Sequence, residues 1–112
     1  MKKPTLKLLE EEGTTDVSLN NARQLVAERG RPVKVVTEYQ DGRAWHYRTV
    51  AMFPDGSEHI FLGFAWGYGG QGPAGLYQFL TMAGLDLPSG RVVAMPQGQV
   101  YEWIHGKALT AA

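Results

Sequence analysis

Val33-Lys-Val-Val-Thr-Glu-Tyr-Gln-Asp-Gly-Arg-Ala-Trp-His-Tyr-Arg-Thr-Val-Ala-Met-Phe-Pro-Asp-Gly-Ser-Glu-His-Ile-Phe-Leu-Gly-Phe-Ala-Trp66 decides the fold. Val33–Tyr39, Ala44–Phe53 and Glu58–Trp66 are rich in β-branched and aromatic residues, and turn residues separate them. Asp41-Gly42 predicts a two-residue type I′ hairpin. Pro54-Asp55-Gly56 predicts a type I turn with Gly56 in a bulge. Three antiparallel strands in a meander follow.

The turns also set a register. A two-residue turn at Asp41-Gly42 puts Tyr39 opposite Ala44, Thr37 opposite His46 and Val35 opposite Arg48. The second turn puts Val50 opposite Ile60, Arg48 opposite Leu62 and His46 opposite Phe64. Directly paired residues share a face of the sheet. One face then carries Val33, Val35, Tyr39, Val50, Met52, Ile60, Leu62, Phe64 and Trp66. The other carries Val36, Trp45, Tyr47, Thr49, Phe53, His59 and Phe61, with Tyr47 over Gly63. The first face is the more apolar and is expected to receive the helices.

Upstream, residues 4–12 suit a short helix with Leu6, Leu8 and Leu9 apolar, ended by Gly13. From Ser18, the spacing of Leu19, Ala22, Leu25 and Val26, closed by Arg29-Gly30, predicts an amphipathic helix over 18–30. Downstream, Pro73 is expected at the first helical position. Leu76, Phe79, Leu80 and Ala83 form an apolar stripe that Gly84 ends. Arg91–Met95 reads as a fourth strand, and Gln99–Ile104 as either a fifth strand or a short helix. The expected architecture is a single α+β domain: an antiparallel sheet of four to five strands with two main helices on one face.

Between the meander and the second helix lies Gly67-Tyr68-Gly69-Gly70-Gln71-Gly72, a literal G-x-G-x-x-G. Glycines there can let backbone approach a pyrophosphate while a helix start supplies N–H donors. A dinucleotide-binding unit, however, needs a parallel crossover and an acid roughly 20 residues on. Here the entering strand belongs to a meander, and Val92–Gln97 holds no acid. As a Walker loop, the motif has Pro73-Ala74 where lysine and a hydroxyl residue hold phosphate and magnesium. Those departures argue against nucleotide hydrolysis.

What remains is an anion nest. Amides of Gly69, Gly70, Gly72, Ala74 and Gly75 would face an anionic, nucleotide-like ligand, with Trp66 and Tyr68 stacking on its ring. His46 and Arg48, on the same expected face, would add charge. The plainer account is that the glycines only let the loop bend and the helix pack closely.

Bulk properties narrow the other classes. The chain has 112 residues, 44% apolar and 20% charged, which fits one globular domain. Eleven basic and eleven acidic residues cancel, which argues against nucleic acid as a partner. No charge occurs from Ile60 to Leu85, and residues 64–112 carry only Arg91, Lys107, Asp86 and Glu102. That half is therefore expected to be buried or covered by a partner. The alternative function is a protein-interaction module, a homodimer or a host-protein binder, using that half or the Trp45/Tyr47/Phe61 face.

The 60–85 stretch is long enough for a bilayer. Its Gly-Gly-Gln-Gly-Pro centre would break a lone helix in lipid, so no membrane span is expected. There is no cysteine, hence no disulfide and no thiolate chemistry, which suits a cytoplasmic protein. Met1-Lys2-Lys3 is followed by no apolar leader segment. His46, His59 and His105 are scattered, and Ser18, Ser57 and Ser89 fall at turns or caps. Neither catalysis nor a cofactor or metal is therefore indicated.

At Phe64-x-Trp66-Gly67-Tyr68-Gly69-Gly70-x-Gly72-Pro73-x-x-Leu76 the chain resembles a group of small bacterial and phage-type proteins of unknown function that share this pattern. The likeness covers 13 residues. It implies strands before the motif and a helix after it, and a prokaryotic or mobile-element accessory role. Tyr77-Gln78-Phe79 departs from the small aliphatic residues expected there. The resemblance assigns no activity and no residue role.

Overall fold

The second hairpin forms as its turn chemistry dictates. In the computed structural model, Gly56 N–H donates to the Phe53 carbonyl and Phe53 N–H to the Ser57 carbonyl, each at 2.9 Å. Gly56 sits at φ +88°, a conformation that a side chain would strain. The turn joins β3 (Tyr47–Met52) to β4 (Glu58–Phe61), with Val50 opposite Ile60 as the sequence predicts. The residues described are 7–9, 14–39, 47–85, 87–88, 90–96, 101–104 and 110–111.

The first hairpin does not keep its predicted register. In β2 (Lys34–Tyr39), Tyr39 pairs with Tyr47 and Val35 with Ala51, three residues away from the pairing a two-residue turn would give. The Asp41-Gly42 turn itself lies outside the described residues. An odd shift turns every side chain of β2 to the other face relative to β3. The physical reason is visible at Arg48. The expected register would set its guanidinium against Val35. The observed one sets it opposite Glu38, at 2.8 Å. Burying an unpaired cation costs far more than a turn preference returns.

The expected core face is therefore corrected. Val35, Thr37 and Tyr39 lie with Tyr47, Thr49, Ala51, His59 and Phe61, and this aromatic face is the one the helices cover. Val50, Met52 and Ile60 point the other way with Val36, and Val33 is exposed. Phe64 and Trp66, which follow β4, do enter the core.

Three other elements differ from expectation. Within the stretch expected to be helical, Lys7–Leu9 forms a strand, β1, parallel to β4 with Leu8 opposite His59. The expected fourth strand is instead α3 (Arg91–Ala94), whose Val92 is buried. The open choice for Gln99–Ile104 resolves as strand β5 (Tyr101–Ile104), antiparallel to β2 and followed by β6 (Thr110–Ala111). Among the described residues the sheet order is β1-β4-β3-β2-β5-β6. It is an α+β fold: five strands antiparallel in sequence across the sheet, and β1 parallel at one edge.

Helix α1 (Thr15–Arg29) starts earlier than its apolar spacing suggests, because Thr14 caps it by accepting from Val17 N–H at 3.3 Å. It buries Ser18, Leu19, Ala22 and Leu25 and ends at Gly30, φ +85°. Helix α2 (Gln71–Met82) buries Pro73, Gly75, Leu76, Phe79 and Leu80. One core unites both helices with Val35, Ala51, Phe53, Phe61, Phe64, Trp66, Tyr101 and Trp103. Inside it, Thr37 Oγ1 accepts from the Trp103 indole N–H at 3.3 Å, so the indole is buried with its donor satisfied.

Two clasps fix α1 to the hairpin. At its start, Gly63 N–H donates to Ser18 Oγ (2.9 Å), while the Thr15 hydroxyl donates to the Gly63 carbonyl (2.8 Å). A Cβ on Gly63 would fall onto the Thr14 carbonyl. The helix start thus occupies the space expected for the Tyr47 ring. At its end, Arg29 donates to Ser57 Oγ and lies 6.0 Å from the Phe53 ring centre. The Ser57 hydroxyl in turn donates to Asp55 Oδ1 at 2.5 Å.

Candidate functional site

The glycine stretch bridges the end of the β4 segment and the start of α2. Gly67 takes φ +86° and donates its N–H to the Val92 carbonyl at 3.0 Å, tying the loop to α3. Helix α2 then begins at Gln71, so Pro73 is its third residue rather than its first. Ala74 N–H donates to the Gly70 carbonyl at 3.1 Å and is the first amide to reach back along the helix. Pro73 has no N–H. Gln71 and Gly72 therefore supply the two amides of the first turn that lie ahead of that ladder. The N-cap, Gly70, provides no side-chain hydrogen bond, and the first turn holds no acidic residue.

Beside this helix start four aromatic rings adjoin one another. Trp66 is fully buried and meets Tyr47 edge-on, ring centres 4.8 Å apart at 77°. Tyr47 meets Tyr39 across the strand pair at 5.1 Å and Tyr68 at 6.3 Å. The Trp66 indole N–H is buried with no hydrogen-bond partner. Burial first, then the neighbouring phenols of Tyr68 and Tyr39, raise the Tyr47 hydroxyl above its ordinary pKa. Tyr47 thus stays neutral at physiological pH, able to donate or accept.

Tyr68 is 44% exposed and lies across the glycines. A Cβ on Gly70 would come within 3.1 Å of Tyr68 Cε2, while one on Gly72 would first meet Ala65 Cβ, at 2.8 Å, and the Tyr68 hydroxyl at 3.2 Å. A Cβ on Gly69 would meet nothing within 4 Å. Gly70 thus leaves room for the chain's own phenol ring, and Gly72 for the close approach of Ala65.

The expected site residues separate into three groups. Tyr68, Gly69, Gly70 and Gly72 come together at the exposed mouth. Trp66 lies beneath them, in the core, where it supports Tyr47 and offers no open face for stacking. Ala74 and Gly75 are committed elsewhere: the Ala74 amide is in the helix ladder, and a Cβ on Gly75 would run into the Thr15 methyl and within 3.2 Å of Phe64. Gly75 is where α2 crosses α1 closely.

Of the two expected cations, His46 lies outside the described residues. Arg48 is on the sheet face away from the helices, paired with Glu38, and does not converge on the loop. Its misplacement follows directly from the three-residue register shift. Tyr39 and Tyr47 are the site residues the sequence reading missed. Their signal is present, since two tyrosines paired across β2 and β3 make an aromatic wall, but it becomes legible only in the correct register.

Elsewhere, among the described residues, no group of three or more histidine, aspartate or glutamate side chains could hold a metal. No helix of those residues is long and apolar enough to cross a membrane. Tyr101, its hydroxyl raised by burial and lowered in part by Arg91, donates to the Pro96 carbonyl at 3.0 Å. No protein-family model, curated protein or solved structure matches the chain.

Proposed function

We propose that the protein is a non-catalytic binding module for a small anionic ligand of nucleotide type, received at the start of α2. The observation that carries this reading is the unfilled polar end. Helix α2 opens on a glycine with no side-chain cap and no acid in its first turn. Anions are favoured at such an end by the N–H groups and by the helix dipole. Tyr68, with Tyr47 and Tyr39 behind it, supplies rings against which a base or sugar can pack. The cationic help expected from Arg48 is withdrawn from this proposal. The motif's resemblance to small bacterial and phage-type proteins supports an accessory role in such a setting, and a cysteine-free chain suits the cytoplasm.

The test is thermal unfolding in a panel of nucleoside mono- and diphosphates and cyclic dinucleotides. A ligand at 100 times its dissociation constant adds about 2.7 kcal/mol to the native state, which a melting curve registers easily. No rise in midpoint with any member at millimolar concentration refutes the reading.

The aromatic face expected for an interface is covered by the helices, with Phe61 fully buried and Tyr47 packed against the core, so a protein-interaction reading moves to the opposite sheet face, where one observation favours it. On the sheet face away from the helices, the described residues leave a depression of about 210 Å³ lined by Val36, Val50, Met52 and Ile60 together with Glu38, Arg48 and Glu58, Val50 and Ile60 being themselves buried. An apolar strip with a charged rim suits a protein partner or a second copy. A monomeric mass at every concentration, unchanged by Met52→Lys, counts against a second copy there.

A further inference from the structure

An antiparallel sheet that faces water carries polar residues at its outward positions. On the face turned away from the helices, this sheet is polar only around its margin. Val36, Val50, Met52 and Ile60 occupy the centre, and Val50 and Ile60 are buried without belonging to the helix-covered core. Two ion pairs span neighbouring strands beside them, and Glu58 stands at the β4 margin. Arg48 on β3 meets Glu38 on β2 at 2.8 Å, and Lys34 on β2 meets Glu102 on β5 at 3.2 Å. Val36 lies on β2 between the two pairs, with Val50 opposite it on β3. This arrangement is complementary to itself. A two-fold axis in the plane of the face, running along the strands midway between β2 and β3, exchanges those strands. By the pairing register, Val50 then falls on the partner's Val36, and Met52 on the stem of the partner's Lys34. Arg48 falls on the partner's Glu38 while keeping its own. Each contact occurs twice, as an isologous interface requires. A two-fold axis running across the strands through Val36 instead sets Glu102 against the partner's Glu102, and like charges directly opposed are unfavourable.

We infer that a second copy of the chain docks on this face, related to the first by the axis between β2 and β3. The inference rests on the interaction reading above, to which it gives a partner and an orientation, and it is independent of the anion reading. The order of charge singles out a second copy. Arg48 and Glu38, joined by the same two residues of the partner, make a square in which every charge has two opposite neighbours. A guanidinium has several N–H donors and a carboxylate several acceptor sites, so each serves two partners at once. A foreign surface would have to reproduce that order of base and acid beside an apolar centre, which this chain already supplies. The two sheets then stack as in a sandwich, about 10 Å apart, with Val36, Val50 and Met52 between them.

Analytical ultracentrifugation of the full chain from about 1 μM to about 1 mM, the span of ordinary dimer affinities, tests this. The parent is expected to reach twice the chain mass. Arg48→Glu and Glu38→Arg each leave only like charges in the square, and each alone is expected to dimerise about a hundredfold more weakly. Mixed in equal amounts the two variants are expected to pair, because one brings only carboxylates and the other only guanidinium groups. Circular dichroism shows whether each keeps its fold. A second measurement needs no variant: with half the parent isotope-labelled, filtered NMR spectra are expected to show contacts between Val36 and Val50 of different copies. If the variants do not fold, that spectrum decides. A parent that stays monomeric over the whole range overturns the inference and leaves a foreign partner as the interaction reading. A dimer without those contacts, or one that both charge variants leave intact, overturns it as well and puts the interface elsewhere.

Discussion

Two helices start beside the same stretch of chain, residues 63–66, and they start in opposite ways. The beginning of α1 is closed: Thr14 caps Val17, Ser18 and Thr15 satisfy both backbone groups of Gly63, and Asp16 supplies an acid to the first turn. The beginning of α2 has a glycine cap, no side-chain cap and no acid, and a half-exposed tyrosine lying over it. Both contain glycines that make room for something. At Gly63 the occupant is the protein's own backbone, tied by hydrogen bonds; at Gly70 it is the half-exposed Tyr68 ring, and at Gly72 the Ala65 methyl comes closest. The contrast teaches that a glycine-rich helix start is informative only when its occupant is known.

The comparison breaks most violently at Gly63→Ala. The new methyl would meet the Thr14 carbonyl and the Ser18 hydroxyl, so the α1 start must lift off the strand. A loss of about 4 kcal/mol or more is expected in denaturant unfolding, in the range reserved for structural breakage. Gly70→Ala, by contrast, should change stability by well under 1 kcal/mol, because only the far edge of a movable ring is in the way.

Next come the packed junctions on the closed side. Ser18→Ala leaves the buried Gly63 N–H without its acceptor, at a cost of about 1–3 kcal/mol. Gly75→Ala should cost a similar amount, about 1–3 kcal/mol by overpacking against Thr15 and Phe64. Thr15→Ser keeps the hydroxyl bonded to Gly63 and removes the opposing methyl. The double variant should therefore recover part of the Gly75→Ala loss. A strictly additive result would show that the two helices do not meet there as described.

Smaller effects are expected on the open side. Gln71→Glu gives α2 the acid that α1 already has, and should raise stability by about 0.3–1 kcal/mol at low salt. The same change should abolish binding of an anionic ligand by occupying its place with a like charge. Stability raised with binding untouched would locate the ligand elsewhere.

The last difference shows in alkali. The Tyr47 hydroxyl is raised in the folded protein, so its contribution is fully present below the unfolded value near 10 and is lost as pH climbs through the folded value. Stability should therefore fall above about pH 10, where a free tyrosine titrates, and fall less in Tyr47→Phe. Unfolding midpoints at pH 9 and pH 11 for both proteins measure it.

What the sequence made legible follows the same division between local and distant causes. The Pro54-Asp55-Gly56 turn and its register were readable because the whole cause lies within a few residues. So was the end of α2: Gly84, φ +87°, donates to the Thr81 carbonyl, and Leu85 N–H to that of Leu80, both at 3.0 Å. The β2–β3 register was misread because Asp41-Gly42 is a strong local signal, while the deciding term, the Arg48–Glu38 pairing, is a contact across strands. Choosing the wrong core face and putting Arg48 at the site both descend from that one step. At the site, the glycine spacing pointed to the right loop but not to what lies in it. Whether Trp66 faces a ligand or the core is settled by Tyr47, nineteen residues earlier in the chain.

The two clasps on α1 have a consequence for how the molecule comes apart. From Thr15 to Arg29 the helix runs about 21 Å at its usual rise per residue. β4 and the bend that follows it run alongside, so one helix splints the segment from Ser57 to Gly63 at both ends, with Gly63 held at its start and Ser57 near its finish. Neither piece can open while both clasps hold. Residues 15–29 and 57–63 should therefore behave as one cooperative unit in native-state exchange, their slowest amides sharing a single opening free energy. The start of α2, outside the splint, is left free to breathe on its own.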